Sequence, residues 1–480
     1  MWLHMQSATE LRVGLCAVGL ETYWPQFPGL RPRLEALVRQ VGERLARPGI
    51  QLIHLGLVDS PARAQEAGRE CRRADIDILF LYVTTYALSN TVLPLVQRAG
   101  VPVIVLNLQP QAAIDYESFN RLPDRTAMTE SWLGFCSACP VPEIANVLMR
   151  AKIPFHQVTG FLDDEETWLE LDSWLGAALV KAMLANSRLG LMGHYYSGML
   201  DVMTDVTQVS ITFGTHVELL EVDELSAIRG TVGDELIAKR MQDFREHFAV
   251  QSDCSEQELE RAARTSVALD EFVSLHDLQM LAYYYEGVGN AANEDTISSI
   301  ILGTSLLTGR HVPVAGEYEV KNVLAMKIMD TLGVGGSFTE YYAVDFSDDV
   351  VLMGHDGPGH PGIAEGKTKV RPLEVYHGKV GQGLSVEMSV RYGAVTLLAV
   401  VDDPVSGFKL VAAEGQCESG PTLAIANTNS RFRFPLGARR FIEGWSAQGP
   451  AHHCAVGVGH IAGQIEKVAL LIGIPFHRVC

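Results

Sequence analysis

The chain has 480 residues, 47% of them apolar and 20% charged, with a formal net charge of −19. That length and apolar share suffice for roughly two to four domains with large buried cores. The acid surplus excludes a general nucleic-acid binder, which needs a basic face, and no apolar run reaches the roughly 18 uncharged residues of a membrane span.

The opening MWLHMQSATEL lacks a basic stretch followed by an apolar core, so no secretory signal is read there and the expected location is cytoplasmic. Apolar runs follow at 12–18 (RVGLCAV), 49–57 (GIQLIHLGL), 77–83 (DILFLYV) and 101–107 (VPVIVLN), with amphipathic helices expected at 32–45 and 62–73. Continuous apolar strands separated by helices predict a parallel sheet covered on both faces, with ligands held beyond the carboxyl ends of its strands. Residues 19–28 follow the first strand, which puts Glu21, Tyr23 and Trp24 at that crevice. Loop aromatics packed on a neighbouring domain would read the same way. The eight cysteines are scattered and read as reduced thiols. One CxxC pair, Cys136 and Cys139, has neither the second half-site of a zinc motif nor a thioredoxin-like context.

A helix is expected over 168–186. A second strand–helix alternation begins at residue 188 (RLGLMGHYYSGMLD), with extended segments at 208–213 and 216–222 and helices at 233–248 and 256–281. Val320, Val323, Leu324 and Ile328 fall at helical spacing, Gly333 ends that helix, and Glu317 sits just before it. From about residue 334 the pattern becomes β-rich, with segments at 350–353, 379–390, 394–401 and 408–413, then a helix at 459–472 and a short IPFHRV strand. Runs of strands after an alternating region predict a separate small barrel or sandwich. The expected domains are therefore 1–185, 186–333 and 334–480.

Four fragments carry chemistry: AGEYEVKN around Glu317, SFTEYY around Glu340, VVLMGHDG around His355 and GPAHHC around His453. Two carboxylates and two imidazoles are a donor set for Mn²⁺, with Co²⁺ or Mg²⁺ as alternatives, and leave two octahedral positions open. Adjacent carbonyl and hydroxyl oxygens of a sugar could take those positions. Taken singly, each residue also reads as an ordinary first-turn acid, surface acid or turn histidine.

These fragments resemble motifs of the L-arabinose isomerase family, within the L-fucose/L-arabinose isomerase group. AGEYEVKN is similar to that family's AGEGDWKT, SFTEYY to SFMEDY, VVLMGH to LVLGSH and GPAHHC to GGAHHT. LMGHYY resembles RMGDNM, which places Met192 among the residues that contact substrate. The resemblance implies two Rossmann-like doubly wound α/β domains and a C-terminal β-barrel, assembled as a homo-hexamer with active sites at subunit interfaces. It implies a Mn²⁺-dependent aldose–ketose isomerase working through a metal-bound enediol, with Glu317, Glu340, His355 and His453 as metal ligands and the two glutamates as catalytic acid and base; a metal-assisted hydride shift would need the same ligands. The substrate expected is a pentose, hexose or modified sugar, with no nucleic-acid or membrane partner.

Departures from the family pattern are specific. Its sugar-contacting glutamine and histidine on NQTAH fall on Cys136 and Cys139, and GSQHLYG appears as GLETYWP, so a substrate glutamine becomes Glu21. The covering phenylalanine is not recognisable, although Tyr283, Tyr284 and Tyr285 are candidates. Retained metal ligands with altered sugar contacts imply a different substrate, because polar contacts decide between sugar isomers. A sugar epimerase on the same metal, and a non-catalytic sugar-binding protein, are the alternative readings.

Overall fold

The computed structural model describes residues 10–286, 289–373 and 382–480, in two compact units that divide between Ala182 and Met183. In the first unit five parallel strands lie in the order Ile50–Val58, Leu11–Val18, Ile78–Val83, Val103–Gln109, Phe155–Phe161. The chain reverses direction across the sheet next to Leu11–Val18, so the crevice beyond that strand is a topological switch point, where such sheets hold ligands. The strand Ile78–Val83 is buried at every position, as expected when helices cover both faces.

Local signals explain the covering helices. Ser60 caps Pro61–Ala74 by accepting from the Arg63 amide, and Asp75 ends it in the left-handed region at φ 49°. Leu30–Leu45 buries Leu34, Val38, Val41 and Leu45, one stripe at helical spacing. The helix expected at 168–186 spans Glu165–Ala185.

The second unit contains a four-stranded parallel sheet ordered Val314–Ala315, Met280–Tyr284, Arg188–Gly193, His216–Leu220. Two expectations differ here. The stretch 208–213 belongs to a helix, Val206–Phe213, because the Asp205 side chain accepts from the Thr207 and Gln208 amides and Gly214 terminates it. These end signals outweigh the β-branched residues between them. The long helix ends at Leu275, and a turn through Asp277 at φ 49° leads into the strand Met280–Tyr284.

Beyond it lies a closed antiparallel barrel. Strands Gly393–Asp403, His453–Val458, Gly335–Asp345, Val350–His355, Thr428–Arg433 and Gly407–Glu418 pair in that order, and the last pairs back onto the first. Val351, Met353, Val395, Leu397 and Phe432 belong to its apolar core. The segment expected at 379–390 begins outside the described residues, and its described part holds the strand Gly383–Glu387. The fold is thus α/β with Rossmann-like parallel sheets followed by a C-terminal β-barrel.

The helix Val320–Thr331 is buried along every residue but the last, and Gly333 follows its cap at φ 76°. Its buried charged side chains are paired: Lys321 with Asp402 at 2.6 Å, and Lys327 with Asp330 at 3.0 Å. Among the described residues, no helix is long and apolar enough to cross a membrane.

Candidate metal centre

Three adjacent barrel strands set out the site. Glu340 lies directly opposite His453 on one side and opposite Gly354 on the other, and His355 follows Gly354 as the last residue of its strand. Gly354 has no room for a side chain, since a Cβ there would meet the Thr428 carbonyl oxygen at 1.7 Å. Thr428 also fixes His355 by accepting from its amide at 2.7 Å and donating to its carbonyl at 3.0 Å. Phe338, two residues before Glu340 on the same strand face, is fully buried and centred 4.4 Å from both the His355 and His453 rings.

Glu317 comes from a different element, the turn between Val314–Ala315 and the buried helix. Glu317 and Tyr318 are consecutive left-handed residues at φ 56° and 61°. Each such conformation costs a non-glycine residue about 1–3 kcal/mol, and surrounding bonds must hold it. The Tyr318 amide donates to the Tyr283 carbonyl at 3.0 Å and Glu319 to the Gly316 carbonyl at 3.0 Å, which closes the turn.

The turn delivers the Glu317 carboxylate to the histidines. Its oxygens lie 3.8 Å from His355 Nε2, 3.4 Å from His453 Nε2 and 3.6 Å from His452 Nε2. These separations are too long for good hydrogen bonds. Ligand atoms of Glu317, His355 and His453 all fall within 4.8 Å of one another, as do those of Glu340, His452 and His453. Among the described residues Glu317 Oε2, His355 Nδ1 and both His453 nitrogens are buried without a hydrogen-bond partner. Buried polar atoms are normally satisfied. Carboxylate and imidazole donors left open around one point fit a divalent cation, so a metal site here is consistent with the donor set and with its unsatisfied atoms.

The electrostatics separate the two glutamates. Burial disfavours ionising Glu317, but the imidazoles of His355, His452 and His453 outweigh it and hold the carboxyl well below the usual range. Burial raises Glu340, and the nearby histidines only partly offset it. His453 is held well below the usual imidazole value by burial and by His355 and His452, which keeps it neutral as a ligand must be. Glu319, fully enclosed, is pushed up to about 8 by burial and lies 3.5 Å from His453 Nδ1. Burial works against a charge on His452, yet Glu317 and Asp201 raise it to about 9.

The other expected contacts are distributed differently. Met192 is fully buried in the core of the second unit. Glu21, Tyr23, Cys136 and Cys139 belong to the first unit, at or near the switch-point crevice, where Tyr23 packs against a small apolar cluster containing Cys136. Cys136 is buried and its thiol is pushed up to about 12, whereas Cys139 is exposed; all eight cysteines are free. Tyr284 lies 4.7 Å from the Tyr196 ring and within the field of Glu317. Sequence reasoning passed over Glu319, Phe338 and Asp201. Glu319 could have been flagged as a second acid in AGEYEVKN, whereas Asp201 reaches His452 only through the fold.

A parallel α/β architecture followed by a closed barrel whose wall carries a carboxylate–imidazole cluster defines an α/β-plus-barrel protein with a candidate divalent-metal centre. The barrel region, residues 335–475, matches the family model of the L-arabinose isomerase C-terminal domain. The chain is similar to an L-arabinose isomerase of Nocardioides sp., at 23% identity over 69% of this chain and 67% of that one. It is also similar to one of Erwinia tasmaniensis, at 23% identity over 91% of this chain and 88% of that one. The match to the family model is confined to the barrel region, and the resemblance of the chain to L-arabinose isomerases is at low identity. Among solved structures, a benzoate-bound solute-binding protein of R. palustris aligns at 15% identity over 70% of this chain and 69% of that one. Its TM-score of 0.17 is too low to carry an argument.

Proposed function

We propose that this protein is a metal-dependent aldose–ketose isomerase acting in the cytoplasm on a pentose, hexose or modified sugar. The observation that carries the reading is a pair of overlapping donor triads, Glu317–His355–His453 and Glu340–His452–His453, within the family-matching barrel and the turn beside it. Glu317, Glu340, His355 and His453 would hold the ion, with Mn²⁺ favoured by the mixed carboxylate–imidazole set. When bound, such an ion polarises a carbonyl and acidifies the neighbouring hydroxyl.

The protein's own residues would supply the proton movement. Two carboxyls pushed in opposite directions by their surroundings are the arrangement that assigns an acid and a base at one pH. Glu340, raised by burial toward the working pH, suits moving the proton by way of an enediol, whereas Glu317, held well below the usual carboxylate range, is a weak base and would partner it chiefly by holding the ion. Phe338 backs the two buried histidines and excludes water behind them. The same reading includes a homo-hexamer with active sites at subunit interfaces, where Glu21, Tyr23, Cys136 and Cys139 would set the sugar specificity.

A panel of aldoses and ketoses, including deoxy and acidic sugars, incubated with Mn²⁺ in D₂O tests the proposal. Conversion with solvent deuterium at C1 or C2 is the expected outcome. Absence of any interconversion across the panel with metal-loaded protein would overturn it. Inversion at a carbon without carbonyl migration would replace it with an epimerase.

A further inference from the structure

Asp201 and His452 are 251 residues apart in sequence, yet one carboxylate oxygen of Asp201 accepts the His452 amide at 3.0 Å and lies 2.6 Å from His452 Nδ1. The loop carrying Asp201 is itself fastened. Buried Lys321 donates to the Asp201 carbonyl at 2.6 Å and pairs with Asp402, and Thr204 donates to Asp402 at 2.7 Å. The His452 ring is therefore gripped at its Nδ1 edge by a residue that cannot easily swing away. Its other nitrogen, Nε2, points at Glu317 Oε2 across 3.6 Å, and the ring overlies His453 with centroids 3.8 Å apart. The two neighbours differ in exposure: the His453 side chain is fully enclosed, whereas that of His452 keeps 35% of its surface accessible. His453 is enclosed within the donor cluster, whereas His452 borders the same cluster and is partly open to solvent.

We infer that Asp201 is a positioning residue: it fixes the His452 ring so that Nε2 is presented beside Glu317 as a hydrogen-bond partner for a hydroxyl oxygen of the sugar. A ring nitrogen tied to a carboxylate fixes the ring's orientation and the direction of the opposite nitrogen. The substrate half of this inference rests on the isomerase reading, and the Asp201–His452 pairing does not.

The test uses the full chain loaded with Mn²⁺, as wild type, Asp201→Asn, His452→Gln and the double variant. With diamagnetic Mg²⁺ in place of Mn²⁺ and no sugar present, proton NMR of the wild type should show an imidazole N–H resonance downfield of the amide envelope, lost in both single variants. With sugar, Asp201→Asn should lower kcat more than it raises KM, by about 10–100-fold, the range for carboxylates that orient an active-site imidazole. Its bound Mn²⁺ should stay at the wild-type level, and the double variant should be no slower than His452→Gln. Persistence of the resonance in Asp201→Asn, wild-type turnover by that variant, or an additive double variant would each overturn the assignment. A wild type that converts no sugar overturns the isomerase reading and the substrate half with it, while the resonance still decides the pairing.

Discussion

Glu340 and His453 face each other across one antiparallel strand pair, Gly335–Asp345 with His453–Val458. Their approach is set by a backbone ladder, not by a flexible loop. A slip of one residue would send every side chain of one strand to the opposite face, so the register that builds the barrel core also aims the two groups.

Glu340→Gln keeps the shape of the side chain and removes its proton chemistry. Turnover should fall by about 10²–10⁴-fold, the usual contribution of a general acid or base. Circular dichroism and the thermal transition of the metal-free protein should match the wild type, because a neutral amide also relieves the burial that raises this carboxyl. An active Glu340→Gln enzyme would remove this residue from the chemistry.

Chelation should abolish activity and lower the melting temperature, and Mn²⁺ should restore both. An ion at a hundred times its dissociation constant stabilises the folded state by about 2.7 kcal/mol. In His453→Gln the melting temperature should no longer respond to Mn²⁺, since both nitrogens of His453 are buried and unsatisfied without a ligand. An unchanged Mn²⁺-dependent shift in that variant would place the ion elsewhere.

Phe338→Ala should cost about 3–5 kcal/mol, as for other buried aromatics truncated to alanine. Because Phe338 supports the rings of His355 and His453, Mn²⁺ affinity measured by calorimetry should fall with stability. Phe338→Leu, which fills more of the space, should recover part of both. Loss of stability with undiminished metal affinity would show that the ring is only packing.

His311 donates a pH-dependent contribution away from the candidate centre. Its Nδ1 lies 2.7 Å from buried Asp330, a hydrogen bond that raises His311 above the usual imidazole value. Burial opposes ionised Asp330, but His311 and Lys327 outweigh it and lower the carboxyl, and His360 also faces the pair. A raised histidine stabilises fully below its unfolded value, near pH 6.5, and that stabilisation is lost as pH rises through the folded value. A lowered aspartate stabilises above its unfolded value, near 3.9, and loses this as pH falls. The difference in melting temperature between wild type and His311→Gln should therefore be greatest between about pH 4 and 6.5 and should shrink at higher pH. A pH-independent difference would contradict this assignment.

Much of the architecture was legible because local signals agreed with the global fold. Continuous apolar runs marked the first parallel sheet, and Val320, Val323, Leu324, Ile328 and Gly333 marked the buried helix and its end. The segment 208–213 misled because β-branched residues outnumber the two capping positions, Asp205 and Gly214, that decide it. At the candidate centre, Glu317, Glu340, His355 and His453 stood out as short words in the chain. Asp201 carried no such signal: an aspartate in a loop is ordinary until folding sets it against His452. Phe338 was equally silent, since only the barrel register shows which rings it touches.

The barrel closes on itself through the pairing of Gly393–Asp403 with Gly407–Glu418, so the strands bearing Glu340, His355 and His453 have paired neighbours on both sides. Ladders of this kind open only when the whole unit unfolds, and their amides should be among the last to exchange with solvent. An arriving ion would meet donors already assembled, so its affinity would not be reduced by the free energy of ordering them. Of the four proposed ligands, Glu317 alone comes from a turn outside this cage, which makes that turn a natural place for the centre to adjust as substrate enters and leaves.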